Sequence, residues 1–258
     1  MMKIHHLNCG LLHAPPNPRA SCHCVLIEHA GRLALIDSGI GLDDIARPAE
    51  RIGRAVIDAA GFQFQEELTA ARQIGRLGYR TTDVVDIVLT HGDPDHAGGL
   101  ADFPAAAIHL SAEEFAAVSA GRPRYSNSQF VHAPRWVSHP ASRDSWYGLQ
   151  ARRLPLSVEA EVLLIPLFGH TVGHCGVALR VGGRWLLHVG DAYYLRIELS
   201  TDDHPVSALA AARADDDQLR RGSLRELRRL AKDHADEITM FGYHDFSEFP
   251  GEVSPAAL

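Results

Sequence analysis

Short apolar runs of strand length recur along the whole chain, separated by clusters of glycine, proline and small polar residues. The runs at 25–28, 33–36 and 86–89 are rich in Val, Leu and Ile, which is typical of buried strands. Further runs of this kind lie at 3–7, 107–110, 161–166, 176–181, 184–189 and 238–241. This pattern predicts extensive β-sheet.

Other stretches repeat their apolar residues near the 3.6-residue period of a helix. Two such stretches lie within 42–79, and another spans 223–234, where leucines occupy one face and Arg or Lys the other. Ser111 and Glu114 predict a capping box, in which each side chain binds the other's backbone amide at the start of a further helix. Because helices gather around two groups of strands, the pattern favours a layered α/β domain.

The segment 121–154 breaks this regularity. It combines three prolines with an aromatic load too high for a solvated linker. Its aromatic residues are Tyr125, Phe130, Trp136, Trp146 and Tyr147. We expect an ordered functional loop within a single domain spanning 1–258, in which 42–79 forms a helical insertion.

Composition narrows the class of protein. The 258 residues include 25 Lys and Arg against 32 Asp and Glu, and no basic block is available to neutralise phosphates, so nucleic acid is not an expected partner. No apolar stretch is long enough to span a bilayer and no signal-peptide pattern opens the chain, which favours a cytoplasmic protein without a membrane partner. The anomaly is 16 histidines, because imidazole is the commonest protein ligand for transition metals.

The densest group of potential ligands follows the apolar run 86–89. His91, Asp93, Asp95 and His96 fall within six residues, and Gly92 and Pro94 force an irregular turn in which alternate side chains can converge. An acidic turn that caps the following helix is the alternative interpretation. By contrast, Cys22-His23-Cys24 lies on an apolar run where alternation separates His23 from both thiols, so core packing is favoured there.

A catalytic metal needs at least three protein ligands, so further groups must come from elsewhere in the chain. Three more candidates sit where apolar runs end: His170 with His174 after 161–166, Asp191 after 184–189, and His244 after 238–241. Polar groups at the ends of several buried strands are a common way for α/β enzymes to build a site.

With these motifs in order, from Ile36-Asp37-Ser38-Gly39 through 91–96 and 170 to 191 and 244, the chain resembles the metallo-β-lactamase superfamily over nearly its whole length. The resemblance implies an αββα sandwich, two mixed sheets face to face with helices outside. It also implies a binuclear metal centre at one edge, in which Asp37 orients the ligand loop.

The ligand sets also follow from the resemblance. One metal is expected at His91, Asp93 and His170, and a second at Asp95, His96 and His244, with Asp191 bridging both. Most of the family has His where this chain has Asp93. Zinc is the expected metal, with iron or manganese as alternatives because a carboxylate is a harder ligand.

The bridging Asp191 resembles glyoxalase II and lactonases, whereas zinc β-lactamases with a cysteine ligand have Cys there. Tyr194, three residues further, resembles a tyrosine of the N-acyl-homoserine lactonases that polarises the lactone carbonyl; simple packing of Tyr193 and Tyr194 is the alternative. The implied reaction is the opening of an ester or lactone by a metal-bridging hydroxide, with Asp95 passing on the proton.

Several alternatives stay open. A glyoxalase II-like thioesterase would need cations for its substrate, and the candidates are Arg122, Arg124, Arg135 and Arg143. Asp93 could instead have produced a catalytically weak or regulatory binding protein, and an iron-dependent dioxygenase shares the fold.

The partner expected is a small acyl ester or lactone, and a homodimer is compatible with the sequence. The segments 121–154 and 47–77 are expected to wall the substrate pocket.

Overall fold

The computed structural model describes residues 2–250, and for Pro18 only the backbone. Met1 and 251–258, which belong to the single domain predicted for 1–258, lie outside the described residues. The strands are β1 Lys3–Ala14, β2 Asn17–His29, β3 Arg32–Ile36, β4 Phe62–Gln63, β5 Val84–Val88, β6 Ala107–Ser111, β7 Arg135–His139, β8 Ser145–Trp146, β9 Leu149–Gln150, β10 Arg152–Arg153, β11 Val162–Pro166, β12 Cys175–Val181, β13 Arg184–His188 and β14 Ile238–Phe241.

Two mixed sheets contain most of these strands. The larger has the order β4-β1-β2-β3-β5-β6-β7, and the smaller has the order β10-β11-β12-β13-β14. The neighbours β3, β5, β6 and β7 run parallel to one another, as do β13 and β14. Carboxyl ends of parallel strands meet at one edge of a sheet, so the loops that follow β5, β13 and β14 can share a site.

The α-helices are α1 Leu42–Ala46, α2 Pro48–Arg51, α3 Arg54–Ala60, α4 Ala70–Arg76, α5 Pro94–Ala97, α6 Ala112–Ser119, α7 Pro205–Arg213 and α8 Asp217–Asp233. The segment predicted as two helices within 42–79 contains four short ones. The helix predicted at 223–234 begins earlier, because the Asp216 side chain caps it by accepting a hydrogen bond from the amide of Leu219. None of the helices between residues 2 and 250 has the length and hydropathy needed to cross a membrane.

Alternation along the strands sorts their side chains into layers. Ala34 and Ile36 of β3 pack against Leu164 and Val177 of the smaller sheet, which forms the centre of the sandwich. Leu33 and Leu35 of the same strand face the other way, toward the layer that contains α3 and α4. On the far side of the smaller sheet, the apolar face of α8 covers the strands with Leu224, Leu227 and Leu230. This arrangement confirms the predicted αββα sandwich.

The helix α3 is fixed against the first strand by a close backbone approach. Gly61 ends α3 with a φ of +64°, and its carbonyl accepts a hydrogen bond of 2.9 Å from the amide of His13. A Cβ atom at Gly61 would lie 2.2 Å from the His13 carbonyl oxygen. Only glycine allows both this φ and this contact.

The aromatic segment 121–154 has more regular structure than a loop. It contains β7, β8, β9 and β10, and β7 continues the larger sheet beyond β6. Tyr125 and Trp146 are buried, and Phe130 and Trp136 pack at the edge of the first core. The aromatic side chains of this segment therefore serve packing.

Candidate metal centre

The predicted ligands meet where strands end at one edge of the sandwich. His91 follows β5, Asp191 follows β13, His244 follows β14, and His170 lies in the loop between β11 and β12. The ligand atoms of six residues form two buried groups, each within 4.8 Å: His91, His170 and Asp191 in the first, and Asp95, His96 and His244 in the second.

The distances between donor atoms of the first group, and from these atoms to the adjacent Asp93, suit a metal. Tetrahedral ligands about 2.0 to 2.1 Å from an ion lie about 3.3 to 3.4 Å from one another. His170 Nε2 is 3.3 Å from Asp191 Oδ2, and it is 3.3 Å from Asp93 Oδ2. His91 Nε2 is 3.4 Å from Asp93 Oδ2 and 4.0 Å from Asp191 Oδ2.

The second group has similar spacing and shares Asp191 with the first. His96 Nε2 is 3.3 Å from Asp191 Oδ1, and His244 Nε2 is 3.3 Å from Asp191 Oδ2. Asp95 Oδ2 lies 3.7 Å from His96 Nε2 and 3.6 Å from His244 Nε2. Asp191 thus has one carboxylate oxygen or the other near every imidazole of the two groups, as the bridging position requires.

Buried polar atoms without hydrogen-bond partners show that this donor set fits a cation. Within residues 2–250, His91 Nε2, His96 Nε2 and Asp191 Oδ1 are buried and have no hydrogen-bond partner. Leaving such atoms unpaired is costly, whereas a metal would satisfy all three. The residues present therefore fit a divalent metal.

Neighbouring groups orient three of the four histidines so that Nε2 faces the centre, whereas His170 Nδ1 is buried without a hydrogen-bond partner. Asp37 Oδ2 lies 2.9 Å from His96 Nδ1, and the Ser21 carbonyl lies 2.7 Å from His244 Nδ1. The partner of His91 Nδ1 is the hydroxyl of Thr90 at 3.0 Å. A carboxylate or carbonyl on the second imidazole nitrogen fixes the tautomer in which Nε2 can bind a metal.

Glu114 connects the two loops that carry the first group. Its buried carboxylate accepts hydrogen bonds from the Gly92 amide, the Thr171 hydroxyl, the Gly173 amide and the Tyr125 hydroxyl. The prediction of a capping box is therefore half wrong: the Ser111 hydroxyl does accept the Glu114 amide at 3.0 Å, but the carboxylate turns inward. Four tertiary donors satisfy that carboxylate, so it does not bind the amide at the helix start.

Asp93, which stands where most of the family has His, is paired with Arg124. Arg124 was expected in a cationic patch for a thioester substrate. Arg124 Nε donates to Asp93 Oδ1 and Arg124 Nη2 to Asp93 Oδ2, each at 2.6 Å. Arg124 Nη2 also lies 2.8 Å from His170 Nε2. Burial would raise the pKa of Asp93, but Arg124 and His91 outweigh it and hold the pKa well below its usual value.

The two groups differ in how they attract charge. Burial, helped by His96, lowers the pKa of His91 well below its usual value. Burial also opposes a charge on His96, but Asp191, Asp95 and Asp37 outweigh it and raise the pKa of His96 well above its usual value. The second group therefore attracts positive charge. Within residues 2–250, no arginine or lysine forms an ion pair with its carboxylates to supply that charge.

Beside the two groups lies an open pocket, which reaches Asp93, Asp95, Asp191 and His244. Its apolar lining is Leu12, Ala14, Ala20, Ala59, Ala60 and Leu209. Asn17 and Arg213 add polar groups to the wall. The prediction that helical residues within 47–77 wall the pocket is supported by the two alanines at the end of α3.

Two expectations about the pocket were wrong. No residue of 121–154 lines it, because the aromatic side chains of that segment are used in packing. None of the four arginines proposed as a cationic patch lines it either, and Arg213 stands there instead.

Tyr193 and Tyr194 point in different directions. Tyr194 lines the pocket, and its ring centre is 5.9 Å from that of His170 and 5.4 Å from that of His244. The Tyr193 hydroxyl donates to Glu248 Oε1 at 2.9 Å, away from the centre. His174, the other histidine of the loop after β11, has a supporting contact. Its Nε2 accepts a hydrogen bond of 3.0 Å from the Asp191 amide and so fixes the backbone at the predicted bridging position.

Comparison with known proteins agrees with this architecture. The family model described as the metallo-beta-lactamase superfamily matches residues 17–242. The chain belongs to the metallo-β-lactamase superfamily.

The chain resembles individual proteins in sequence and in fold. The chain is similar to a probable metallo-hydrolase of Mycobacterium tuberculosis, with 44% identity over 202 residues, which cover 76% of this chain and 64% of that protein. Its fold is similar to that of AiiA from B. thuringiensis with N-decanoyl-L-homoserine bound at the active site (TM-score 0.71, 20% identity, 95% and 94% of the two chains). It is also similar to AidC, a dizinc quorum-quenching lactonase (TM-score 0.60, 17% identity, 98% and 89%).

Proposed function

We propose that this protein is a metal-dependent hydrolase that opens ester or lactone bonds, with N-acyl-homoserine lactones as the substrate type. The observation that carries the proposal is the pair of buried donor groups sharing Asp191 at the base of an apolar pocket. The N-decanoyl-L-homoserine bound at the active site of AiiA and the description of AidC as a quorum-quenching lactonase support the substrate class. The mycobacterial relative, named a probable metallo-hydrolase, supports hydrolysis.

In this proposal, up to two divalent metals bind, with zinc expected. The residues that would hold them are His91, Asp93, Asp95, His96, His170, Asp191 and His244. When bound, such ions lower the pKa of water and polarise a carbonyl. The protein's own part is to fix the imidazole tautomers through Asp37 and the Ser21 carbonyl, and to keep the site buried.

The pocket wall suits a substrate with an apolar acyl chain and one polar end. The acyl chain would lie along Leu12, Ala14 and the alanines of α3, and burial of its methylenes contributes to binding. Arg213 also lines the pocket and suits the carboxylate that forms when an ester or lactone opens. Asp95 lines the pocket and would carry the proton to the leaving oxygen.

Tyr194 would donate a hydrogen bond to the developing oxyanion. Its ring centre lies 5.9 Å from that of His170 and 5.4 Å from that of His244, and the residue is 8% exposed and lines the pocket. Because such a bond strengthens in the transition state, Tyr194→Phe should lower kcat more than it raises KM, with a loss of about 10-fold to 100-fold in kcat/KM.

The test is a substrate panel of N-acyl-homoserine lactones and acyl-glutathione thioesters, measured on metal-loaded wild type, Tyr194→Phe and the matched control Tyr193→Phe. We expect lactones to be turned over fastest and Tyr193→Phe to be nearly neutral in kcat/KM. Faster thioester turnover would favour the glyoxalase II-like alternative, and no turnover of either class would favour a binding protein. Equal effects of the two tyrosine variants would remove Tyr194 from the mechanism.

A further inference from the structure

Arg124 reaches from the segment after α6 to the first donor group, and all five of its N–H groups have hydrogen-bond partners. A guanidinium has five N–H donors. Three make the contacts with Asp93 and His170 described above, and Nη1 makes the other two, to the Arg213 carbonyl at 2.6 Å and to Asp215 Oδ1 at 3.3 Å. The Arg124 side chain is 17% exposed and that of Asp93 is 7% exposed. The cation is therefore held firmly in place.

The contact with His170 determines what else that imidazole can bind. A neutral imidazole nitrogen that accepts a hydrogen bond uses its one lone pair to do so. Arg124 Nη2 at 2.8 Å occupies the lone pair of His170 Nε2, the nitrogen that faces Asp191 at 3.3 Å. A metal bound to His170 Nε2 needs the same lone pair, so arginine and metal exclude each other at this atom.

The charge of Asp93 leads to the same conclusion. Its two oxygens are both paired with Arg124, so the charge of the carboxylate is balanced without an ion. Breaking a buried pair leaves an uncompensated charge and is strongly unfavourable. Within the described part of the chain, no arginine or lysine forms an ion pair with Asp95 or Asp191, so the second group keeps its full attraction for a metal.

We propose that Arg124 is a resident cation that competes with metal for the first position, so that the protein binds one divalent ion tightly at Asp95, His96, His244 and Asp191, and a second one weakly. This rests on the metal centre in the proposed function. Arg124 would then control how many metal ions bind per chain, although it is not itself a ligand.

The experiment is a zinc titration of metal-free protein by equilibrium dialysis with elemental analysis, repeated with Co²⁺ to follow coordination by absorption. Wild type should show one tight and one weak ion per chain. Arg124→Met removes the guanidinium at similar length and should tighten the weak ion on the order of 100-fold, the range expected when a buried ion pair no longer has to be broken. The matched control is Arg122→Met, because the Arg122 side chain is exposed and pairs with Asp215 at 3.9 Å, not with a donor residue; it should match wild type.

The outcomes separate clearly. Two equally tight ions in wild type would overturn the proposal, and this measurement needs no variant to fold. Unchanged or weaker second binding in Arg124→Met would overturn it as well, because Arg124 would then be orienting Asp93 as a ligand. If Asp93→Ala in the Arg124→Met background abolishes the gain, the freed carboxylate is the ligand, as we expect. Since no substrate is involved, failure of the lactone panel would leave these results standing.

Discussion

The two halves of the metal centre share Asp191 but are built differently around it. In the second half, Asp37 holds His96, and no arginine or lysine among residues 2–250 forms an ion pair with its carboxylates. In the first half, a hydroxyl orients His91, and Arg124 neutralises Asp93. Similar distances between donor atoms can therefore hide unequal affinities, because the groups behind the donors determine how much a cation gains by binding.

Removing the shared carboxylate should have the largest effect. Asp191→Ala takes a ligand from both halves, so we expect loss of metal and a fall in hydrolysis of roughly 1,000-fold, since metal ions contribute several kcal/mol to the transition state. Elemental analysis and kcat/KM measure both effects. The exposed Asp236→Ala is the control. Full metal content in Asp191→Ala would show that this residue is not a bridge.

One histidine from each half separates the two positions. His244→Ala should abolish the tight ion, with an affinity loss beyond the ~100-fold that outer partners of metal ligands contribute. His170→Ala should leave that tight ion in place, because Asp95, His96 and Asp191 are untouched. The metal content after dialysis gives the answer. An equal loss in both variants would mean that the two halves bind as one unit.

The orienting carboxylate of the second half can be tested by itself. Asp37 has a φ of +53°, which asparagine also tolerates, so Asp37→Asn should keep the backbone. It places an amide beside the proton on His96 Nδ1, and we expect the tight affinity to fall about 10-fold to 100-fold. Zinc dialysis measures the fall, with the exposed Asp58→Asn as control. Unchanged affinity would assign His96 another orienting partner.

The smallest effect is expected for the group that supports the first half from behind. Glu114→Gln loses the charge that holds the Gly92 amide and the Thr171 hydroxyl, so the weak ion should weaken further by about 10-fold while the tight ion stays. Its neighbour Glu113→Gln is the control, because Glu113 pairs with Arg152 away from the centre. A loss of the tight ion in Glu114→Gln would show that both halves depend on the same loops.

The sequence predicted the parts of the centre that follow strand ends. His91, Asp95 and His96 lie in a short turn after an apolar run, so their convergence could be inferred from local spacing. Asp191 and His244 follow two neighbouring parallel strands, whose ends must meet at one edge. For these residues, backbone topology decides the position of the side chain.

The contacts of Arg124 and Glu114 could not be predicted in this way. Arg124 is 31 residues from Asp93 and 46 from His170, in a segment without periodicity, and nothing local brings them together. Glu114 fits a local capping pattern, which led to the wrong partner. The one clue was Asp93 itself, because a carboxylate in place of an imidazole adds a buried charge that must be balanced.

The close approach of Gly61 to the His13 carbonyl has a consequence for how this protein can diversify. A shift of α3 or a replacement of Gly61 would break this contact with β1, so we expect α3 to keep its position beside the pocket in variants that fold. Change in the size of the accepted acyl group must then come from exchanging Ala59 or Ala60 on a fixed frame. We expect substrate range to be adjusted by single side chains at these two positions, while Gly61 admits no replacement.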